Sequence, residues 1–115
     1  IDHLRPYYES SMPQEFHSYM DYVVDNSLEV IGLANYAKEK CNHDTTSLDQ
    51  KISKEMVGLM FYFPQDVLKT EVNKRTEQTM QSYGLSFCSE VESKVDSLFT
   101  ALNQRKAQFE SGNPQ

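Results

Sequence analysis

The sequence predicts an all-α protein, an antiparallel helical bundle of about four helices with one disulfide. Three observations support this fold class. From Pro13 to Cys41, apolar or small residues recur at alternating intervals of three and four, three later segments show related patterns between polar turns, and the chain contains two cysteines. Residues at these intervals line one face of an α-helix, which is stable when another element covers it. Helices joined by short turns pack as antiparallel neighbours.

Length and charge limit the architecture and the class of partner. At 115 residues the chain is expected to form one domain. Its parts are an extended N-terminal arm (residues 1–12), a helical bundle (residues 13–110) and a frayed tail (residues 111–115). The net charge of −6 argues against a nucleic-acid partner, and no apolar run of about 20 residues predicts a membrane span. Most of the negative charge lies in residues 1–37, which hold six acids and one base.

The first third of the chain predicts the arm and the longest helix. Residues 1–12 lack helical periodicity, and the residue before Pro6 is disfavoured in the α conformation, which predicts an extended segment. Helix one is predicted to begin near Pro13 and to end near Lys40, because Pro suits a first helical turn and lysines complement the dipole of the last one. Its predicted core face comprises Phe16, Met20, Val23, Ser27, Val30, Ala34, Ala37 and Cys41.

Three shorter helices follow. Helix two is predicted from Ser47 to Phe63, where Pro64 ends it. Helix three is predicted from Pro64 to about Ser82, with Gly84 just beyond its C-terminus, and its weak apolar stripe predicts the least buried helix. Helix four is predicted to start near Ser86. The predicted core faces of helices two and four comprise Leu48, Ile52, Met56, Leu59, Met60, Phe63, Cys88, Val91, Val95, Leu98, Leu102 and Phe109.

The two cysteines favour a disulfide. In an up-and-down arrangement, Cys41 ends helix one and Cys88 begins helix four at the same end of the bundle, and both lie on core faces. Closing a loop of about 47 residues would stabilise the fold by about 4 kcal/mol in the chain-entropy model. The alternative is two unpaired core thiols, as in a cytosolic protein. The first residue, Ile1, fits a trimmed sequence or the removal of a secretory signal.

A line of acids on helix one is the first candidate for partner binding. Asp21, Asp25 and Glu29 recur every four residues opposite the predicted core face, and Tyr22 and Tyr36 flank them. Like charges at this interval destabilise a helix slightly. An acidic face edged by tyrosines suits a basic patch on another protein. The alternative is an ordinary solvated helix face.

The turn between helices two and three is the second candidate. It holds Phe61, Tyr62 and Phe63 in succession before Pro64, and three consecutive aromatic side chains cannot all face one core. We expect one or two of them to be exposed or covered by the N-terminal arm. Exposed aromatic side chains anchor many interfaces, which makes Phe61 and Tyr62 candidate contacts. The alternative is that the N-terminal tyrosines or helix three bury the cluster. A monomer is expected, although periodicity leaves open a dimer that buries Val57 and Phe61.

The sequence contains no catalytic or metal-binding motif, so we predict no catalytic residue, no cofactor and no metal. It has no His-Glu-x-x-His, no Gly-x-Ser-x-Gly and no glycine-rich phosphate loop. His17 and Asp21 are one helical turn apart, but two ligands do not complete a metal site. Five methionines raise the alternative of a pocket for a small apolar ligand, with core packing as their more common use.

Several features of the whole chain resemble one family of secreted proteins. The small acidic helical chain, the opening from Leu4 to Tyr8, the placement of Cys41 and Cys88 and the turn from Met60 to Pro64 are similar to the albicin and anophensin family. These are salivary proteins of blood-feeding anopheline mosquitoes. The resemblance carries over no catalytic or binding residue. It implies inhibition of host defence, because members block the alternative pathway of complement at the C3 convertase assembly or dampen the contact (kallikrein–kinin) system.

The resemblance leads us to expect a secreted, extracellular complement inhibitor that binds host plasma proteins without catalysis, for immune evasion during blood feeding. The alternatives are inhibition of the contact system, inhibition of collagen-dependent platelet adhesion and carriage of a small apolar ligand. A related helical module in mosquito collagen-binding antiplatelet proteins implies the second of these. Insect odorant-type carriers usually contain more cysteines than the two found here, which counts against the last.

Overall fold

A computed structural model describes residues 1–41, 46–83 and 88–112. Over these ranges the chain is helical and contains no β-strand, which confirms the all-helical prediction. The described elements are 3-10 helices at Arg5–Tyr7, Glu9–Ser11 and Gln14–Phe16, and α-helices α1 (His17–Lys40), α2 (Thr46–Leu59), α3 (Gln65–Tyr83) and α4 (Cys88–Glu110). The described part therefore has more helical segments than the four predicted. The polar turn, the Gly84 cap, the start near Ser86 and the last three residues of the tail lie outside the described residues.

Helix α1 is the central element, and it contacts each of the other α-helices. Its buried residues are Met20, Val24, Ser27, Leu28, Val30, Ile31, Gly32, Leu33, Ala34 and Ala37. The single predicted core face is therefore too narrow, since Val23 is only half-buried and Phe16 is exposed. A periodic stripe describes a helix that is covered on one side, whereas α1 is covered on several.

The N-terminal residues are not extended, so the predicted arm is wrong. Residues 1–12 contain two 3-10 helices, and Leu4 and Tyr8 are among the most deeply buried residues of the protein. Pro6 lies in the first turn of its 3-10 helix, where its fixed φ angle and missing N–H are tolerated. Burial of two large side chains four residues apart favours this compact conformation over an extended one.

The predicted ends of helices one and two also need correction. The α-helix begins at His17 rather than near Pro13, because a 3-10 helix occupies Gln14–Phe16. Helix α2 ends at Leu59, before the predicted end at Phe63. The amide of Phe63 still donates to the carbonyl of Leu59, with an N–O distance of 3.0 Å, so the chain leaves the helix through a hydrogen-bonded turn.

Helix α3 is more deeply packed than its sequence predicts. Leu68, Glu71, Val72 and Thr79 are buried on α3, whereas α2 buries only Glu55 and Leu59 among its residues. The prediction that α3 is the least buried helix is therefore wrong. Two of its buried side chains are polar, so an apolar stripe does not report this interface.

The predicted disulfide between Cys41 and Cys88 is confirmed, and the alternative of two unpaired thiols is wrong. The bond joins the end of α1 to the start of α4, with the two Cα atoms 5.6 Å apart. At the opposite end of the same helices, the rings of Tyr19 and Phe109 stack with centroids 3.8 Å apart. These two contacts show that α1 and α4 run antiparallel.

Helices α1 and α3 approach closely at Gly32. The hydroxyl of Thr76 donates to the carbonyl oxygens of Gly32 and Val72, at 2.9 and 2.8 Å. A Cβ atom at position 32 would lie 3.0 Å from the Thr76 backbone nitrogen and 3.1 Å from the Val72 carbonyl oxygen. Because these are backbone atoms, a larger residue would push the two helices apart.

Replacing Gly32 by Ala should lower the free energy of unfolding by about 1–3 kcal/mol, since overpacking outweighs the helix propensity that Ala adds. Urea denaturation with the disulfide intact measures this change. Gly58→Ala is the matched control, because a Cβ there meets nothing within 4 Å. It should raise the free energy of unfolding by up to about 1 kcal/mol. A stabilised Gly32→Ala variant would contradict the close approach of α1 and α3.

Candidate partner-binding surface

The first acid of the predicted acidic face is bound within the chain. The carboxylate of Asp21 accepts hydrogen bonds from the Tyr8 hydroxyl and from Arg5, whose Nε lies 3.1 Å from Oδ2. Arg5 also pairs with Asp2. Burial by itself would raise the pKa of Asp21, but the hydrogen bonds from Arg5 and Tyr8 outweigh it and hold that pKa below its ordinary value. Burial, followed by the hydrogen bond to Asp21, raises the pKa of Tyr8. Asp21 therefore anchors the N-terminal turns to α1.

The second acid, Asp25, joins α1 to α3. Its carboxylate pairs with Arg75, which also donates to the Asp25 backbone oxygen at 3.2 Å. The Arg75 side chain is only 16% exposed, so this pair is largely shielded on the α3 side. Glu29 is half-buried. The face is thus partly neutralised by arginines that are distant in sequence, and its binding to a basic patch stays a prediction.

The flanking tyrosines mainly make contacts within the protein. Tyr22 and Tyr36 are half-buried and pack against the core between α1 and α4. The guanidinium carbon of Arg105 lies 5.8 Å from the centre of the Tyr22 ring and 5.0 Å from that of Tyr19. These distances are typical of cation–π contacts. A role of Tyr22 and Tyr36 in partner binding also stays a prediction.

The aromatic turn divides between core and surface, as predicted. Phe63 is buried beneath the N-terminal turns, with its ring centre 5.3 Å from that of Tyr7 and 6.0 Å from that of Tyr8. Tyr62 is half-buried against the same core. Phe61 is 82% exposed. The prediction that one or two of the three aromatics would be exposed is confirmed, with Phe61 as the most exposed.

Phe61 belongs to an exposed surface that we call the α2 apolar surface, which comprises Val57, Met60 and Phe61. Val57 is 59% and Met60 51% exposed. Because Met60 is about half exposed, the prediction that it belongs to the core face of helix two is wrong. The amides of Met60 and Tyr62 donate to the carbonyls of Met56 and Leu59 at 2.9 and 3.0 Å, which holds the backbone of this turn. Clustered exposed apolar side chains are typical of interaction sites.

A groove of about 790 Å³ lies between α2 and α3, above α1. Tyr36, Ile52, Met56 and Val72 contribute its apolar walls, and four charged residues also line it: Glu39, Lys40, Lys69 and Glu77. Met56 is thus the methionine that faces a space of ligand size. Met12, Met20 and Met80 pack in or against the core, as Met56 also does on its inner side.

The described residues include no group of three or more His, Cys, Asp or Glu side chains that could hold a metal ion. The His17 ring nitrogen instead contacts the backbone oxygens of Glu9 and Met12, at 2.9 and 3.2 Å. It thereby helps to hold the N-terminal turns. Within the same described ranges, no helix is both long enough and apolar enough to cross a membrane.

Replacing Asp21 by Asn should lower the free energy of unfolding at pH 7 by about 1–3 kcal/mol, because hydrogen bonds from Arg5 and Tyr8 lose their charged acceptor. The folded-state pKa of Asp21 lies below its unfolded value of about 3.9. Its contribution is therefore fully present above that value and is lost as pH falls through the folded pKa. Urea denaturation at a series of pH values should show the wild type and the variant converging in acid.

Asp2→Asn is the control for this prediction. The Asp2 side chain is 89% exposed and also pairs with Arg5, so its loss should change stability little. A difference between Asp21→Asn and wild type that stays constant from pH 7 to pH 2 would contradict the assigned role of Asp21.

Comparison of the chain with models of known protein families, with curated proteins and with solved structures gave no match. The function is therefore inferred from the resemblance noted in the sequence and from the surfaces described above. Of these, the α2 apolar surface is the one whose side chains are least engaged within the protein.

Proposed function

We propose that this protein is a secreted salivary inhibitor of the alternative complement pathway that binds the C3 convertase assembly without catalysis. The observation that carries the binding function is the α2 apolar surface, where Phe61 is 82% exposed on a hydrogen-bonded turn. The resemblance to the albicin and anophensin family supports the choice of target. The disulfide supports an extracellular location, because disulfides persist in oxidising compartments.

The framework behind this surface suits a preformed binding site. Phe63, two residues beyond Phe61, is held in the core by Tyr7 and Tyr8. The disulfide constrains the C-terminal end of α1, and α2 packs against α1. A contact that is already ordered loses little conformational entropy on binding. The protein would then inhibit by occupying a surface or by trapping one conformation of its target.

The proposal assigns no catalytic activity to the protein. Acid–base catalysis requires a carboxylate placed within reach of the reacting group. Asp21 and Asp25 instead hold Arg5 and Arg75 and thereby join parts of the fold. Their chemistry is used for stability, and the exposed chemistry of α2 is that of a protein contact.

The purified protein should inhibit lysis of erythrocytes by the alternative pathway of human serum, with a saturable dose response and no comparable effect on the classical pathway. Lysis with Ca²⁺ chelated and Mg²⁺ retained measures the first activity. Reduced and alkylated protein is the control and should lose potency, because loss of the disulfide removes about 4 kcal/mol of stability. Lysis that is unaffected at saturating protein would contradict the proposal.

Two parallel measurements separate the neighbouring functions. Inhibition of kallikrein generation in plasma, without an effect on lysis, would assign the protein to the contact system. Inhibition of platelet adhesion to collagen alone would assign it to the antiplatelet class. A Glu29→Gln variant in the lysis assay also tests the third acid of the acidic face, since unchanged potency would show that inhibition does not depend on the charge of Glu29.

Carriage of a small apolar ligand is a second candidate function, and the groove between α2 and α3 favours it. Its volume of about 790 Å³ lies within the range of about 300–1,000 Å³ that is usual for small-molecule sites. Ile52, Met56 and Val72 offer it apolar walls.

An apolar fluorescent probe should bind this groove saturably, with one probe per chain, if the protein is a carrier. Met56→Glu should then abolish the binding, because a carboxylate would enter an apolar site. Val57→Glu, on the exposed side of the same helix, is the control and should leave it unchanged. Fluorescence that rises without saturation in all three proteins would end this candidate.

A further inference from the structure

The outer side of α2 and the turn that follows it are open to a partner, since Lys54, Val57, Met60 and Phe61 are all exposed. Lys54 and Val57 are three residues apart on α2, so they lie on one side of the helix, and Phe61 follows in the turn beyond Leu59, where α2 ends. Gly58 stands between them, and a Cβ atom there would meet nothing within 4 Å. A partner can therefore approach the α2 backbone closely beside Val57 and Phe61.

Lys54 gives this open side a defined charge. It is exposed and borders the same shallow depression as Val57. Two charged neighbours on α2 form ion pairs with other helices: Asp49 pairs with Lys38 of α1 at 2.5 Å, and Lys51 pairs with Asp96 of α4 at 3.6 Å. Lys54 has no ion pair with any residue in the described ranges. The apolar side chains are thus accompanied by one uncompensated positive charge in a protein of net charge −6.

A second copy of this chain is a poor occupant for this surface. Two copies of net charge −6 repel each other at long range. A cleft would enclose the projecting Phe61 ring more fully than a flat two-fold contact.

We infer that Phe61, with Val57 and Met60 beside it, inserts into an apolar cleft of a partner protein, and that carboxylates at the rim of that cleft receive Lys54. This inference rests on the proposed function, because it takes the protein to act by binding. It adds the contact side of the molecule and the chemistry of the acceptor site. Complementary charge at the rim accelerates association, and a buried aromatic anchor slows dissociation.

Surface plasmon resonance against C3b-coated surfaces with factor B tests the inference with four proteins: wild type, Phe61→Ser, Lys54→Glu and Lys74→Glu. Phe61→Ser should weaken binding at least tenfold, chiefly through faster dissociation. Lys54→Glu should slow association several-fold, and the effect should shrink as salt is added. Lys74 is an exposed lysine of α3 and supplies the matched charge reversal, which should leave binding unchanged. Circular dichroism and thermal unfolding establish that all four proteins fold alike.

The outcomes separate this inference from the proposed function. If wild type binds and inhibits lysis while Phe61→Ser and Lys54→Glu match it, the inference is overturned and the proposed function stands. A wild-type dimer in sedimentation equilibrium that Phe61→Ser abolishes would also overturn it, because a second copy would then cover the surface.

If wild type neither binds the convertase nor inhibits lysis, the proposed function fails and plasma chromatography decides the inference. The four proteins are immobilised, and each retained plasma protein is identified by mass spectrometry and bound again in purified form. An identified protein that binds wild type and Lys74→Glu, but not Phe61→Ser or Lys54→Glu, would support the contact side. Equal retention by all four proteins, or retention of nothing, would overturn it.

Discussion

The rest of the structure depends on the burial of α1 on several sides at once. A chain of 115 residues has few elements with which to cover a helix of 24 residues. Helix α3 covers one side at the distance that Gly32 permits, and α4 covers another beneath the disulfide. The N-terminal turns complete the cover by inserting Leu4 and Tyr8. The N-terminal turns, which the sequence predicts to be peripheral, are thus part of the core, because burial of α1 requires them.

Enclosure of α1 also determines the role of its acids. A carboxylate near a packed interface needs a partner that offsets the cost of its partial burial. Arg5 supplies that partner to Asp21 from the N-terminal turns, and Arg75 supplies it to Asp25 from α3. The negative charge of the first third of the chain therefore contributes to holding neighbouring elements on α1. This reduces the charge that the face can present to another protein.

Helix α2, unlike α1, contributes little to the core. It buries few residues of its own, and its outer side carries exposed apolar groups near a turn whose next aromatic, Phe63, is in the core. A helix that contributes less to the core can vary its outer side at little cost in stability. Phe63 attaches this turn to the core, and the Phe61 ring projects from it. These properties favour α2, rather than the acidic side of α1, as the element that contacts a partner.

The sequence by itself determined the features that arise from local order along the chain. The helical class, the pairing of Cys41 with Cys88 and the partial exposure of the aromatic turn follow from intervals of three and four residues and from helix ends. Only the tertiary structure decided the compact N-terminal turns, the burial of α3 and the pairing of Asp25 with Arg75, which is 50 residues away. These three features depend on which elements pack together in the folded protein. An apolar stripe in the sequence does not indicate a polar or backbone contact with a helix that is distant along the chain.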